Sequence, residues 1–298
     1  MNANDLTGMF PALPTPLTTE GRPDLDLLTG LVERTLAAGV SGLVPMGGTG
    51  EYTALSPADR NAVVRRTADV AAGAVPILPG VLATGFADAV STGEDFREAG
   101  ADGIMLVTPY YVIPSQQGVQ DYFRAYRRAV DAPIVYYDIP ARTGFVTQPE
   151  TMAALADDGT IIGAKVCNTD MHYFNRLAAL VGDRISLLSG DDMLYAMHVM
   201  HGARGGILAS TPLLPRFWVE LHELLEKGAF AEAIAEHRRL LPIFRALFAE
   251  VNPGPMKAVM ADLGQPIGAV HLPLMSPTPA TQALVSEAVE VIRREELT

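Results

Sequence analysis

Three of the 22 basic residues are lysines, so any chemistry that needs an amine has three candidates: Lys165, Lys227 and Lys257. Lys165 closes Ile161-Ile162-Gly163-Ala164-Lys165, an otherwise apolar run. Burying an ammonium without a partner is costly, so this setting favours the free amine. A free amine is what Schiff-base formation with a ketone requires. A lysine at the end of such a run can also snorkel to solvent or join a salt bridge. Lys227, in Glu226-Lys227-Gly228, and Lys257, on a late helix, are weaker candidates.

Two further segments carry chemistry-bearing side chains. Ile134-Val135-Tyr136-Tyr137-Asp138 runs into Ile139-Pro140-Ala141-Arg142-Thr143-Gly144. Tyr137, on a strand next to that of Lys165, offers a phenol that can shuttle protons to a carbinolamine and a substrate oxygen; the alternative is a packed aromatic. Arg142 offers a planar fork for a carboxylate, or is a solvated loop arginine. Gly47-Gly48-Thr49-Gly50-Glu51 lets backbone approach a ligand closely, and successive N–H groups form a small anion nest. It lacks the lysine of a P-loop, which argues against a nucleotide.

The elements that must position these groups follow from short apolar runs near 9–12, 42–45, 76–80, 103–107, 134–137, 161–165, 185–188 and 205–209. Their starts step by about 28 residues, the length of a βα unit. The runs are apolar on both alternating faces, as parallel strands covered on both sides require. Amphipathic stretches lie between them, with Ser56-Pro57 marking one helix start. Eight successive units predict an α/β fold, a (β/α)₈ TIM barrel over 1–214 that carries the active site. From 215 to 298 the chain reads as a helical C-terminal extension packed on the barrel, with helices over 215–227, 231–249, 254–263 and 279–296.

The 298 residues are 49% apolar, ample for one large core. Asp and Glu outnumber Lys and Arg by 34 to 22, and the net charge of −12 repels phosphate backbones, so nucleic acid is not an expected partner. The single cysteine, Cys167, excludes an intrachain disulfide and a cysteine metal cluster. The first residues show no signal-peptide pattern, and no run of about 18 apolar residues predicts a membrane span. A cytoplasmic protein is expected. His198 and His201, at i and i+3, lack a third ligand at suitable spacing, so no metal is expected. Asp191 and Asp192 either bind a hydroxylated substrate or cap the next helix. Trp218 reads as packing.

Taken together, these motifs resemble the dihydrodipicolinate synthase / N-acetylneuraminate lyase family of pyruvate-dependent Schiff-base lyases. The matching stretches are Gly47–Glu51, Thr108-Pro109-Tyr110-Tyr111, Tyr136–Gly144, Ile162–Lys165, Leu188-Ser189-Gly190-Asp191-Asp192 and Asn252-Pro253-Gly254-Pro255-Met256-Lys257, in family order over nearly the whole chain. The resemblance implies that Lys165 forms the imine, that Tyr137 relays protons, and that Gly48 and Thr49 with their backbone bind the keto-acid carboxylate. It implies that Tyr111 completes a relay across a dimer interface, that Arg142 holds a second carboxylate and that Ile207 turns a main-chain carbonyl to the site. It also implies small-molecule keto acid and aldehyde substrates, no cofactor, and a homotetramer built as a dimer of dimers.

Two departures bear on substrate. Gly48 stands where synthases carry a hydroxyl residue, so the link between Tyr137 and Tyr111 is missing or runs through water, and a glycine there resembles the branch acting on keto-deoxy sugar acids. Val166-Cys167-Asn168 replaces the acidic and small residues that follow the lysine in synthases. Arg142, by contrast, follows the synthase pattern. The leading expectation is a dihydrodipicolinate-synthase-like enzyme joining pyruvate to aspartate semialdehyde. The rivals are a keto-deoxy sugar acid aldolase or dehydratase, a metal-dependent lyase, and a catalytically silent keto-acid-binding relative.

Overall fold

A computed structural model describes residues 1–297; Thr298, the last residue of the expected extension, lies outside the described residues. The chain begins β1 (Gly8–Met9), α1 (Leu25–Ala37), α2 (Pro57–Ala71), β2 (Gly80–Val81), α3 (Phe86–Glu98), β3 (Ile104–Val107), α4 (Gln116–Ala129) and β4 (Ile134–Asp138). A single helical turn, α5 (Pro140–Thr143), and α6 (Pro149–Asp157) lead to β5 (Gly163–Val166). Then follow α7 (Met171–Val181), β6 (Ser186–Ser189), α8 (Tyr195–Met200) and β7 (Gly205–Gly206). All strand pairs are parallel, in one seven-stranded sheet of order β1-β7-β6-β5-β4-β3-β2.

The expected second strand, 42–45, is not a strand. It makes two isolated parallel bridges, Ala12 with Val44 and Leu43 with Ile77. Its backbone is hydrogen-bonded on both sides: Val44 N donates to Pro11 O at 3.0 Å, and Leu78 N donates to Leu43 O at 2.9 Å. Pro11, Pro45, Pro76 and Pro79 each lack an N–H, so no continuous ladder can form here. Inward side chains from around the sheet, among them Ala12, Val44, Leu78, Met105, Val135, Leu188 and Ile207, meet in one buried cluster, so the sheet is curled. A larger apolar layer fills the space between strands and helices, with Leu31, Phe96, Phe123, Tyr136 and Phe174 in it.

Helix starts follow local chemistry. Asp24 caps α1 by accepting from the N–H groups of Asp26 and Leu27, and Ser56 caps α2 with Pro57 in the first turn. Beyond β7 the chain is helical: α9 (Pro215–Glu226), α10 (Phe230–Arg239), α11 (Leu241–Leu247), α12 (Gly254–Asp262) and α13 (Pro279–Arg294). The single helix expected over 231–249 is two. Pro242 has no N–H to continue α10 and sits instead in the first turn of α11. Trp218 is fully buried, edge-on to Tyr195, with its Nε1 donating to Ser210 Oγ at 3.0 Å. Among the described residues no helix is long and apolar enough to cross a membrane.

Candidate active site

Successive side chains of a strand point to opposite faces, so Gly163 and Lys165 of β5 share the inner face. Lys165 is paired in register with Tyr137 of β4 on one side and Leu188 of β6 on the other. It is buried, and its Nζ stands 4.5 Å from the centre of the Tyr137 ring. Among the described residues no carboxylate lies within salt-bridge distance of it. The other two lysines are spoken for: Lys257 Nζ is 2.6 Å from Glu51 Oε1 in a fully buried pair, and Lys227 Nζ is 3.0 Å from Glu223 Oε2 on the surface. Room for Lys165 depends on Gly190. A Cβ there would lie 3.0 Å from Lys165 Cγ and 2.2 Å from Cys167 Sγ.

Tyr137 lines a cavity of about 170 Å³ together with Gly48, Thr53, Ile139 and Arg142. Burial raises the pKa of its phenol, while the positive charges of Lys165 and Arg142 act in the opposite direction. Arg142 stands in α5, on an exposed turn whose glycine, Gly144, takes the left-handed conformation. Its guanidinium lies over Gly48, so close that a Cβ on Gly48 would be 3.1 Å from Nη1. The cavity thus gathers Gly48, Tyr137 and Arg142. Lys165 lies behind Tyr137, and Thr49, Asp191 and Tyr111 are outside the lining.

The loop Gly47–Glu51 is a tight turn in which Gly50 N and Glu51 N donate to Gly47 O and Gly48 O at 3.0 and 3.2 Å. The N–H groups of Gly48 and Thr49 have no acceptor among the described residues. Thr49 Oγ1 accepts from Asn252 Nδ2 at 2.8 Å. Glu51 is left-handed, with φ 56°, and its buried carboxylate takes Lys257 and also the backbone N–H of His271 at 2.7 Å. The loop is therefore gripped by residues around and beyond α12; sequence reasoning weighs Lys257 only as a weaker candidate amine and gives Asn252 and His271 no part in the site. Their only signal is the Asn252–Lys257 motif.

Behind Tyr137 lies a second buried polar group. Asp138 Oδ1 accepts from Thr147 Oγ1 at 3.2 Å, and the Thr147 and Tyr136 hydroxyls share a hydrogen bond at 2.7 Å. Thr108 Oγ1 donates to Tyr136 Oη at 3.1 Å. Asp138 Oδ2 and the Tyr173 hydroxyl are buried without a partner. Burial pushes the Asp138 carboxyl up to about 7. Burial likewise pushes the Cys167 thiol up to about 12, so it stays protonated and donates to Gly190 O.

The remaining residues separate. Tyr111 holds a left-handed backbone, φ 70°, and is 90% exposed, followed by Val112 and Ile113 at 75% and 60%. Ile207 is buried at the end of β7, its N–H donating to Ser189 O at 2.8 Å and its carbonyl accepting nothing among the described residues. Asp191 caps the following turn, its Oδ1 accepting from Met193 N and Leu194 N at 2.9 and 3.0 Å. Asp192 is buried and ties the ends of β6 and β7 by accepting from Ser210 N at 2.8 Å. His198 is stacked on Phe174 and shares a hydrogen bond with Ser189 Oγ at 2.8 Å; burial lowers its pKa to about 4. Neither it nor His201 joins a group of three metal-ligating side chains among the described residues.

Residues 5–292 match the model of the dihydrodipicolinate synthetase family. The chain belongs to that family. The resemblance read from the motifs is met, and with it the expectation of a lyase. The chain is 39% identical to a 4-hydroxy-tetrahydrodipicolinate synthase of Sorangium cellulosum, over 99% of both chains. It is 37% identical to that of Hyphomonas neptunium, over 95% of this chain and 97% of that one. Among solved structures, the 4-hydroxy-tetrahydrodipicolinate synthase of Methylacidiphilum fumariolicum superposes with a TM-score of 0.94 at 30% identity, over 97% of each chain. The dihydrodipicolinate synthase of Aquifex aeolicus gives 0.92 at 31%, over 98% of this chain and 99% of that one.

Proposed function

We propose that this family member is a 4-hydroxy-tetrahydrodipicolinate synthase, joining pyruvate to aspartate semialdehyde through an imine on Lys165. The observation that carries this is the setting of Lys165: a buried amine on the inner face of the sheet, without a carboxylate partner, in register with Tyr137. Lys165 Nζ attacks the ketone carbon of pyruvate, the carbinolamine loses water, and the protonated imine results. That imine is an electron sink: loss of a methyl proton gives an enamine, whose carbon attacks the aldehyde. Tyr137 moves protons to the carbinolamine and the substrate oxygen. The free N–H groups of Gly48 and Thr49, with the Thr49 hydroxyl, hold the pyruvate carboxylate. Arg142 takes the carboxylate of the semialdehyde, and the Ile207 carbonyl faces the site. The capping bonds of Asp191 favour a structural role over substrate contact.

The architecture that goes with this reading is a closed (β/α)₈ barrel over 1–214, with 42–45 as the eighth, proline-interrupted stave, and a helical extension from 215 onward. The hydrogen bonds on both sides of 42–45 support it. A homotetramer is supported by two separate exposed apolar faces, one at Tyr111–Ile113 and one at Met193, Met197 and Met200. One solved relative is a monomeric dihydrodipicolinate synthase variant, and sedimentation velocity on this chain tests the tetramer against that state. The site of action we assign is the cytoplasm, in keeping with a single, unpaired cysteine. Gly48 favours a second reading, a keto-deoxy sugar acid aldolase or dehydratase.

The deciding experiment is borohydride reduction with pyruvate. One reduced pyruvyl adduct is expected on the tryptic peptide that contains Lys165, and none in Lys165→Ala. An adduct on Lys227 or Lys257 would remove the assignment. A panel of aspartate semialdehyde and keto-deoxy sugar acids then separates the two substrates.

A further inference from the structure

The Asn252–Lys257 motif is the one stretch of the family pattern left without a role, and it comes from the helical extension. Two of its side chains reach the carboxylate loop: Lys257 holds Glu51, and Asn252 holds Thr49. The two contacts differ in kind. The Glu51 pair is fully buried and fixes the backbone of the turn. The Asn252 amide meets the one side-chain hydroxyl beside the free N–H groups of Gly48 and Thr49.

A hydroxyl has one proton and two lone pairs, and by itself it can present either to a neighbour. Asn252 Nδ2 donates to Thr49 Oγ1 at 2.8 Å, while Asn252 Oδ1 is buried without a partner. In this orientation of the amide a lone pair of the hydroxyl is occupied from the extension side, and its proton is free for another acceptor. The free N–H groups of Gly48 and Thr49 mark where an acceptor would sit. Resting on the Schiff-base reading above, we propose that Asn252 is a positioning residue for the keto-acid carboxylate: it commits the Thr49 proton to the ligand and turns two donors into three. Gly48 makes this matter more, since no hydroxyl at position 48 can take over.

The test is pyruvate trapping by borohydride on the full-length protein, followed by mass across a pyruvate series. Asn252→Asp keeps the shape but only accepts, so the Thr49 hydroxyl turns to donate to it and leaves the carboxylate. Half-saturating pyruvate is expected to rise about tenfold, with the maximal trapping rate within about twofold. In a Thr49→Val background the same change keeps only the repulsion of the added carboxylate, and a clearly smaller shift, about threefold or less, is expected. A shift that persists undiminished without the Thr49 hydroxyl would overturn the proposal, and so would no shift with the hydroxyl present. If Asn252→Asp does not fold, judged by its melting curve, Asn252→Ala carries the test: a rise of about threefold is expected, again only with Thr49 present. Absence of any adduct on wild-type Lys165 is a separate outcome, which overturns the Schiff-base reading and this inference with it.

Discussion

Replacing Gly48 by threonine supplies the hydroxyl that the family resemblance leads one to expect at this position, and the structure says what it costs. A Cβ at position 48 would stand 3.1 Å from Arg142 Nη1 and 3.7 Å from Cζ. Ordinary contact between such atoms is about 3.5–4.0 Å, so the guanidinium must retreat by several tenths of an ångström, and further for the branched threonine. The Arg142 guanidinium makes no hydrogen bond or ion pair with the described residues, so the retreat costs little stability and appears in ligand binding. A well-formed guanidinium–carboxylate contact contributes about 1.5–3 kcal/mol. At about 1.4 kcal/mol per tenfold, its loss raises KM for aspartate semialdehyde about 10- to 150-fold. The relay hydroxyl acts on proton transfer and so on kcat, which keeps the two effects apart. Steady-state rates over a semialdehyde series at saturating pyruvate measure both. In an Arg142→Ala background, Gly48→Thr is expected to leave KM within about twofold. An unchanged KM in Gly48→Thr alone, or an equal rise in both backgrounds, would show that the two residues do not compete for this space.

Tyr137→Phe is expected to lower kcat about 100-fold or more, the scale of a positioned acid–base group, while pyruvate trapping persists more slowly; unchanged turnover would return Tyr137 to packing. Tyr111→Ala is expected to weaken self-association and activity together, followed by sedimentation velocity alongside rates. A fully active monomer would refute the shared-relay role of Tyr111. Asp138 gives a pH signature. Its folded pKa of about 7 lies above the unfolded carboxylate value, so its stabilising share is full below about pH 4 and is lost as pH rises through 7. Asp138→Asn, which stays neutral, is therefore expected to match wild type near pH 4 and to exceed it at pH 8. The gain is a few kcal/mol at most, since each tenfold change in proton affinity is worth about 1.4 kcal/mol. A difference in unfolding free energy that stays flat between these pH values would count against a carboxyl held neutral by burial.

How much of this is legible in the chain depends on the range over which each feature is encoded. The inner strands announce themselves locally: runs such as 134–137 are apolar on both faces, and the structure places the strand ends within two residues of expectation from β3 to β6. The 42–45 segment reads as a strand because apolar character marks burial, while a ladder also needs donors that Pro11, Pro45, Pro76 and Pro79 lack. The break at Pro242 is written in the chain but masked, since amphipathic spacing continues across it. Lys165 and Tyr137 stand out through residue type and position at strand ends. The grip of Asn252 and Lys257 on the loop has no local signal, because it pairs residues some 200 positions apart. Gly190 shows the converse: its need is steric, and sterics against Lys165 become visible only once β5 and β6 lie side by side.

The buried pair of Glu51 and Lys257 also sets an order of assembly. Thr49 and Asn252 are 203 residues apart, and Glu51 and His271 are 220 apart. Every strand that faces the cavity leaves the ribosome before α12 does. A nascent chain ending at β7 can begin to curl its sheet, yet it holds the Glu51 carboxylate with no cation or His271 N–H to meet it. Such a charge does not stay buried alone, so the turn at 47–51 must remain solvated until the extension docks. Contacts this distant in sequence also close slowly. The carboxylate loop, among the first chemistry-bearing segments to be synthesised, is then among the last to take its working shape, and a chain interrupted between β7 and α12 carries the lysine and the tyrosine without a place to seat the acid.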